Sequence, residues 1–212
     1  MLEGSLGILP RRILVDERNW DVARQLLEDA GLAHELRPES SGPKAELTDD
    51  AVLGGRLRLK QKKKGHRVGH DAILLAAATA AHAGDWAVEF GAGVGAAGLA
   101  LAMRVPDVKV TLVERDAELA TIAGENINRN GLAERVNAVT LDVTATADSF
   151  AALGIGPGSA DHILMNPPFN NPSRQNVSPD PDRRAAHAAG EGMLAAWIDA
   201  AAWVLHSAGA LT

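Results

Sequence analysis

The chain has 212 residues, 46% hydrophobic and 23% charged, a length at which one domain buries about 70% of its unfolded surface without metals or cross-links. It has no cysteine, which excludes a disulfide framework, a zinc–thiolate site and every cysteine nucleophile, and suits a reducing cytoplasm. The net charge of −6 hides an asymmetry: residues 1–70 hold 13 Lys/Arg against 11 Asp/Glu, residues 71–212 hold 8 against 16, and seven cations fall between Arg56 and Arg67.

Residues 1–50 read as an N-terminal helix and linker, and residues 51–212 as the main domain. Asn19 to Gly31 carries Val22, Leu26 and Leu27 on one helical face, with Gly31 as its stop. Arg37 to Asp50 is polar and broken by Pro38, Gly42 and Pro43, which reads as a loop. Arg56 to Lys60 alternates polar and apolar, the period of a half-buried strand. Asp71 to His82 reads as a helix rich in alanine and leucine, and its run Ala72–Ala81 is about half a membrane crossing. The N-terminus has no basic region followed by an apolar stretch, so neither a signal peptide nor a membrane span is expected.

From Trp86 the pattern becomes regular. Strands are expected at Trp86–Phe90, Val108–Val113, Val136–Leu141 and His162–Met165, and helices at Ala96–Arg104, Asp116–Asn130 and about Ala185–His206. A polar loop, Asn170–Asp182, precedes the last helix. Strands alternating with helices make an α/β fold of Rossmann-like kind: a mostly parallel sheet, flanked by helices, with ligands at the carboxyl ends of the strands. Ala208 to Thr212 reads as the start of a fifth strand, so a sheet truncated at its C-terminal strands is expected.

The chemistry gathers at strand ends. Val88-Glu89-Phe90-Gly91-Ala92-Gly93-Val94-Gly95-Ala96 is a strand, a glycine turn and a helix start, where a ligand reaches backbone that a side chain would block. Read as G-x-G-x-x-G/A it is a dinucleotide fingerprint, with Glu114 on the ribose. Read as acid-x-G-x-G-x-G it is an S-adenosylmethionine turn with Glu89 as the acid. By itself it specifies only a ligand of adenosine type. Glu114 and Asp142 follow successive strands, and carboxylates there can accept from ribose hydroxyls and an adenine amino group. Asp142 reads equally well as a turn residue.

After the fourth strand comes Asn166-Pro167-Pro168-Phe169. Consecutive prolines lock the backbone and remove two donors. The side-chain oxygen of Asn166 and the carbonyl of Pro167 are left as fixed acceptors, suited to the two hydrogens of an exocyclic NH₂. Phe169 can stack on the ring that bears it.

From about Leu53 onward the chain resembles class I S-adenosylmethionine-dependent methyltransferases of the small-domain type, whose signature is Asn/Asp-Pro-Pro-aromatic. Members methylate amino nitrogens: adenine N6, guanine N2 or glutamine N5. Leu53-Gly54-Gly55-Arg56 through Gln61, Gly65-His66-Arg67, Asp71, and Ser178-Pro179-Asp180 through Arg184 and His187 are similar to the bacterial tRNA adenine-N6 methyltransferases. Those act on adenosine 37, beside the anticodon of valine tRNA. Two positions depart from the pattern: His66 stands where an aromatic residue is usual, and Glu89 where Asp is commoner.

The resemblance implies S-adenosyl-L-methionine as cofactor. Glu89, Gly91, Ala92, Gly93 and Gly95 would line its methionine and ribose end, Glu114 its ribose hydroxyls and Asp142 its adenine amino group, with Gly65 and Arg67 closing over it. Asn166, Pro167, Pro168 and Phe169 are the implied catalytic residues, Asn166 also lying beside the cofactor, and no metal is called for. His187 is a candidate base, although alignment of nitrogen, methyl and sulfur needs none. The expected partner is tRNA or another structured RNA in the cytoplasm. Arg56, Arg58, Lys60, Lys62, Lys63, Lys64, Arg183 and Arg184 would track its phosphates, although a charge run is as often a solvated surface.

Other readings stay open. A guanine of ribosomal RNA or a release-factor glutamine presents the same NH₂. A nucleotide-dependent oxidoreductase fits the glycine turn but leaves Asn166 to Phe169 unexplained. A non-catalytic RNA-binding module has no need of the set Glu89, Glu114, Asp142 and Asn166.

Overall fold

Two antiparallel strands and five parallel ones make up the sheets of the computed structural model, which describes Gln25 and residues 46–64, 67–167 and 181–212, with side chains from 192 onward in the last stretch. The chain divides into two units, Met1–Lys44 and Ala45–Thr212, and every element below belongs to the second. The helix expected over 19–31, Gly65, His66, Pro168, Phe169 and the 170–180 loop lie outside the described residues, as do the side chains of Arg183, Arg184 and His187.

β1 (Leu47–Val52) and β2 (Leu57–Lys62) form a hairpin in which Leu47 faces Lys62 and Val52 faces Leu57. A short 3₁₀ turn joins them, with Gly54 and Gly55 in the left-handed region at φ 66° and 85°. β2 alternates as its sequence predicts, burying Leu57, Leu59 and Gln61. β1 corrects the reading of residues 37–50 as a loop throughout. Its Thr48-Asp49-Asp50 carries no apolar alternation because ion pairs, rather than a core, cover that strand.

The larger sheet begins after α1 (His70–Ala78). In chain order follow β3 (Trp86–Phe90), α2 (Ala96–Arg104), β4 (Lys109–Glu114), α3 (Ala117–Arg129), β5 (Val136–Thr140), α4 (Ala147–Ala152), β6 (Ala160–Met165), α5 (Pro181–Val204) and β7 (Leu205–Leu211). The strand order is β5-β4-β3-β6-β7, and each neighbouring pair is parallel. The chain winds outward from β3 through β4 to β5, then returns to place β6 on the other side of β3. The order therefore switches between β3 and β6, where open α/β sheets leave a crevice at the carboxyl ends. α1 ends at Ala78, short of the expected His82: Thr79 turns extended, and Arg104 of α2 donates to the carbonyls of Ala76 and Thr79.

The sheet is buried on both faces. Ala87, Val110 and Leu112 pack with Leu99 and Leu101 of α2 and with Leu57 and Leu59 of the hairpin. Val88, Phe90, Val113 and Ile163 face Phe150, Trp197, Ala201 and Val204. Phe90 lies 6.0 Å from Phe150 and edge-on to Trp197 at 6.5 Å between ring centroids. Each such side chain contributes about 1.5–3 kcal/mol by leaving water.

The hairpin is held to the sheet layer by two amides, one on α3 and one at its C-cap. Asn126, fully buried, accepts from the Lys60 N–H (2.7 Å) and donates to the Lys60 and Val94 carbonyls (3.0 Å each). One turn on, Asn130 does the same for Arg58, at 3.0 and 2.8 Å. Spaced by four residues, the two side chains lie on one helix face and bond alternate residues of β2 as a third strand would. That satisfies an edge otherwise open to pairing.

Candidate active site

The glycine turn leaves β3 and enters α2 with Gly91, Gly93 and Gly95 all at positive φ, 66°, 56° and 85°. The three are glycine for different reasons. A Cβ on Gly95 would lie 2.7 Å from Leu112, and one on Gly91 would lie 2.6 Å from the Trp197 ring. A Cβ on Gly93 would meet nothing within 4 Å. Gly93 is therefore where backbone borders open space, as a ligand's approach requires. Packing accounts for the other two, and Ala92 is pinned to β4 by its N–H bond to the Val113 carbonyl (3.0 Å).

Glu89 is not open to that space. One carboxyl oxygen accepts from the Gly98 N–H at 2.7 Å, bracing the first turn of α2, whose Gly95 cap supplies no side chain. Burial is the main reason its pKa is pushed up to about 8, and the Glu114 carboxylate adds to the rise while the Gly98 N–H opposes it. Glu114, the last residue of β4, accepts from the N–H of Gly93 (2.8 Å) and of Asp116 (2.9 Å). It shapes the turn from outside, and a carboxylate so bound keeps lone pairs for hydroxyl donors. Asp142 uses one oxygen for both the N–H and the hydroxyl of Thr144 (2.8 and 2.7 Å), which hold its pKa low. This is the turn reading of Asp142, with the second oxygen left as an acceptor.

Asn166 and Pro167 leave β6 directly across the switch point from Gly91. Pro167 is buried and Asn166 exposed. Asn166 Nδ2 donates to an Asp71 carboxyl oxygen at 2.6 Å, in the first turn of α1. That bond turns the NH₂ toward Asp71 and leaves Oδ1, on the other side of the amide, as an acceptor. The turn, Glu114, Asp142 and Asn166 thus share the carboxyl edge of one sheet. An acceptor-lined, glycine-opened edge with carboxylates at successive strand ends fits the hydroxyl and amino donors of an adenosyl cofactor.

Most of the described cations expected to track phosphates hold ion pairs within the chain. Arg58 pairs with Asp49, Lys60 with Glu125, Lys62 with Glu118, Lys63 with Glu46 and Arg67 with Asp50, at 2.5–3.0 Å. Among the described residues, Arg56 and Lys64 hold no ion pair. Arg67, expected over the cofactor, also donates to the Thr48 hydroxyl.

Two contributors were missed by reading the sequence: Trp197 fills the side of Gly91, and Asn126 ties Val94 of the turn to the hairpin. Neither carries a local motif, and the recurrence of Asn126 and Asn130 one helical turn apart was the available signal. Asp71, noted in the sequence within the family-like run but given no role, meets Asn166. A cavity of about 400 Å³ lies between Leu53, Arg56, Ile73, Ala76, Met103 and Arg104. It includes no strand-end residue, so the site is assigned from the polar edge and not from that cavity. Among the described residues there is no cluster able to hold a metal ion and no helix long and apolar enough to cross a membrane.

Comparison with known proteins bears on the same segment. Residues 67–212 match the family model of the methyltransferase small domain. Residues 1–31 match a short family model named for prokaryotic signal transducing proteins. A tRNA1(Val) (adenine(37)-N6)-methyltransferase of Escherichia fergusonii is 36% identical over 104 residues, 49% of this chain and 40% of its own. One from an Enterobacter species is 31% identical over 141 residues, 66% of this chain and 55% of its own. The chain thus spans about half the length of the curated relatives it matches. Among solved structures, a predicted O-methyltransferase of Agrobacterium tumefaciens is similar with a TM-score of 0.52 and 29% identity, over 66% of this chain and 58% of that one. A tRNA m1G37 methyltransferase of M. jannaschii shares the fold, with a TM-score of 0.52 and 18% identity over 81% of this chain and 44% of its own.

Proposed function

Because the chain belongs to the methyltransferase small domain family of S-adenosylmethionine-dependent enzymes, we propose that it transfers the methyl group to an exocyclic amino nitrogen, adenine N6 at position 37 of a tRNA, in the cytoplasm. The observation that carries this reading is the Asn166 amide, set beyond β6 with its NH₂ turned to Asp71 and its oxygen left to accept. Asn166 Oδ1 and the Pro167 carbonyl then accept the two hydrogens of the target NH₂. Conjugation makes that nitrogen a poor nucleophile, and accepting both hydrogens raises its electron density toward the incoming methyl. Gly93, Glu114 and Asp142 are the residues that would hold the cofactor, which supplies an already electrophilic methyl. The remaining contribution of the chain is alignment. The tRNA-modifying relatives support the adenine assignment.

One observation favours a second acceptor, a protein glutamine. Five of the seven hairpin cations face carboxylates, which weakens the charge argument for RNA. Labelled methyl transfer to unmodified tRNA and to release factor, with mapping of the modified atom, separates the two. Asn166→Ala is expected to lower transfer roughly a hundredfold while S-adenosylhomocysteine affinity, by calorimetry with NADH as control, barely moves. Near-normal turnover in that variant, or binding of NADH alone, overturns the reading.

A further inference from the structure

A side-chain amide has two faces that differ by a half-turn about its last bond, one presenting an oxygen and the other two N–H donors. An Asn that must accept from a target NH₂ works in one orientation and repels in the other. Nothing in the Asn166 side chain itself selects between them, because the residue is exposed at the end of β6. Selection has to come from a neighbour, and the neighbour present is a carboxylate. Asp71 accepts and cannot donate, so it bonds only the NH₂ side, at 2.6 Å.

We propose that Asp71 is the positioning residue of the methyl-transfer site: it holds the Asn166 amide with Oδ1 toward the target nitrogen. The inference rests on the reading of Asn166 given above. It is carried by how the fold delivers Asp71. The buried Gln61 of β2 accepts from the Val68 N–H at 2.9 Å and donates to Asp50 at 2.7 Å, which fixes the segment leading into α1 to the hairpin. Arg67 bonds Asp50 and Thr48 from the same segment. At Gly69, the cap of α1, a Cβ would stand 2.5 Å from Asp71 Oδ1. Gly69 is not at positive φ, so its conformation does not call for glycine. A Cβ there would push the Asp71 carboxylate, the end of an exposed side chain, out of its place. Hairpin, glycine and helix start converge on one carboxylate, and that carboxylate converges on one amide.

The test uses the full chain with unmodified tRNA and release factor as acceptors, and two-dimensional ¹H–¹⁵N spectra of side-chain amides, with the Asn166 pair identified by its loss in Asn166→Ala. Asp71→Ala is expected to shift that pair of signals, to lower kcat about tenfold and to leave the KM for S-adenosylmethionine and the melting temperature close to the parent's. Gly69→Ala is expected to reproduce the spectral shift. The deciding variant exchanges the partners. Asn166→Asp alone sets two carboxylates face to face and should lose transfer. Adding Asp71→Asn restores a donor at 71 and an acceptor at 166, and should recover most of it. A merely structural role for Asp71 predicts no recovery. Unmoved Asn166 signals in Asp71→Ala, or an exchanged pair no better than Asn166→Asp, overturns the inference. Normal turnover in Asn166→Ala instead overturns the reading beneath it, while the spectra still report whether Asp71 holds the amide.

Discussion

Around the β1–β2 hairpin, most polar groups are paired within the chain, many with residues of α3. Arg58 and Arg129 share Asp49, Lys60 meets Glu125, Lys62 meets Glu118, and Asn126 and Asn130 bond the strand edge. At the carboxyl edge of the main sheet, Glu114, Asp142 and Asn166 are each fixed from the protein side and keep acceptor capacity on the other. Both regions carry charged and amide groups, so residue type alone does not distinguish a seam from a site. What distinguishes them is whether a group's bonds are all made within the chain. Closure gives rigidity, and partial closure gives a fixed direction in which to bind.

Glu89 is the sharpest challenge to that contrast, since it stands on the site's edge but is spent on Gly98. Its pKa near 8 against an ordinary 4.5 sets a sign. Below pH 4.5 the carboxyl keeps its proton folded or unfolded, and nothing is lost. Between 4.5 and 8 the unfolded chain ionises there while the folded one does not, so stability falls with each pH unit, and above 8 the loss levels off. Over the whole window it amounts to about 5 kcal/mol. Glu89→Gln keeps an acceptor for Gly98 and should erase that slope, as urea unfolding from pH 4.5 to 8 would measure. Parallel stability curves for parent and variant would mean that Glu89 is ionised and belongs with the open groups.

The joint between the two regions carries the next largest effect. Asn126 links Lys60 of the hairpin to Val94 of the glycine turn from a fully buried position. Asn126→Ala strands three backbone groups out of water and should cost about 3 kcal/mol in urea unfolding. Asn130→Ala, on the exposed side of the same ladder, should cost about 1 kcal/mol. Equal losses would show that the ladder, and not burial, sets the energy.

Much of this was readable from the residues. β3 and α2 have the limits that their periodicity predicts, and the strand-end placement of the glycine turn, Glu114, Asp142 and Asn166 follows from alternating strands and helices. β1 was not readable, because a strand stabilised by Asp49 and Asp50 against facing cations shows no apolar period. α4 is six residues, too short for a helical repeat to register. Asn126 and Asn130 look like solvated helix positions until the hairpin is laid against them. Asp71 and Asn166 are separated by 95 residues, and a pairing between two ordinary polar side chains at that distance has no local signature. The basic run was visible and its partners were not, since Glu118 and Glu125 arrive from α3.

That last point gives the smallest of the expected effects and the finest cut between seam and site. If RNA is the acceptor, a cation already facing a carboxylate contributes little to phosphate binding, because no counterion need be displaced from it. Arg56 and Lys64, which hold no ion pair among the described residues, should carry the salt dependence of tRNA binding. Replacing both by Ala should lower the slope of log affinity against log salt by about 1 to 2. Replacing Lys62 and Lys63, paired at 2.5 and 2.9 Å, should change it by less than half as much and cost under about 1 kcal/mol of stability, as exposed pairs do. A larger change from the paired lysines would mean that RNA opens those ion pairs on binding, which would turn the hairpin from a closed seam into part of the docking surface.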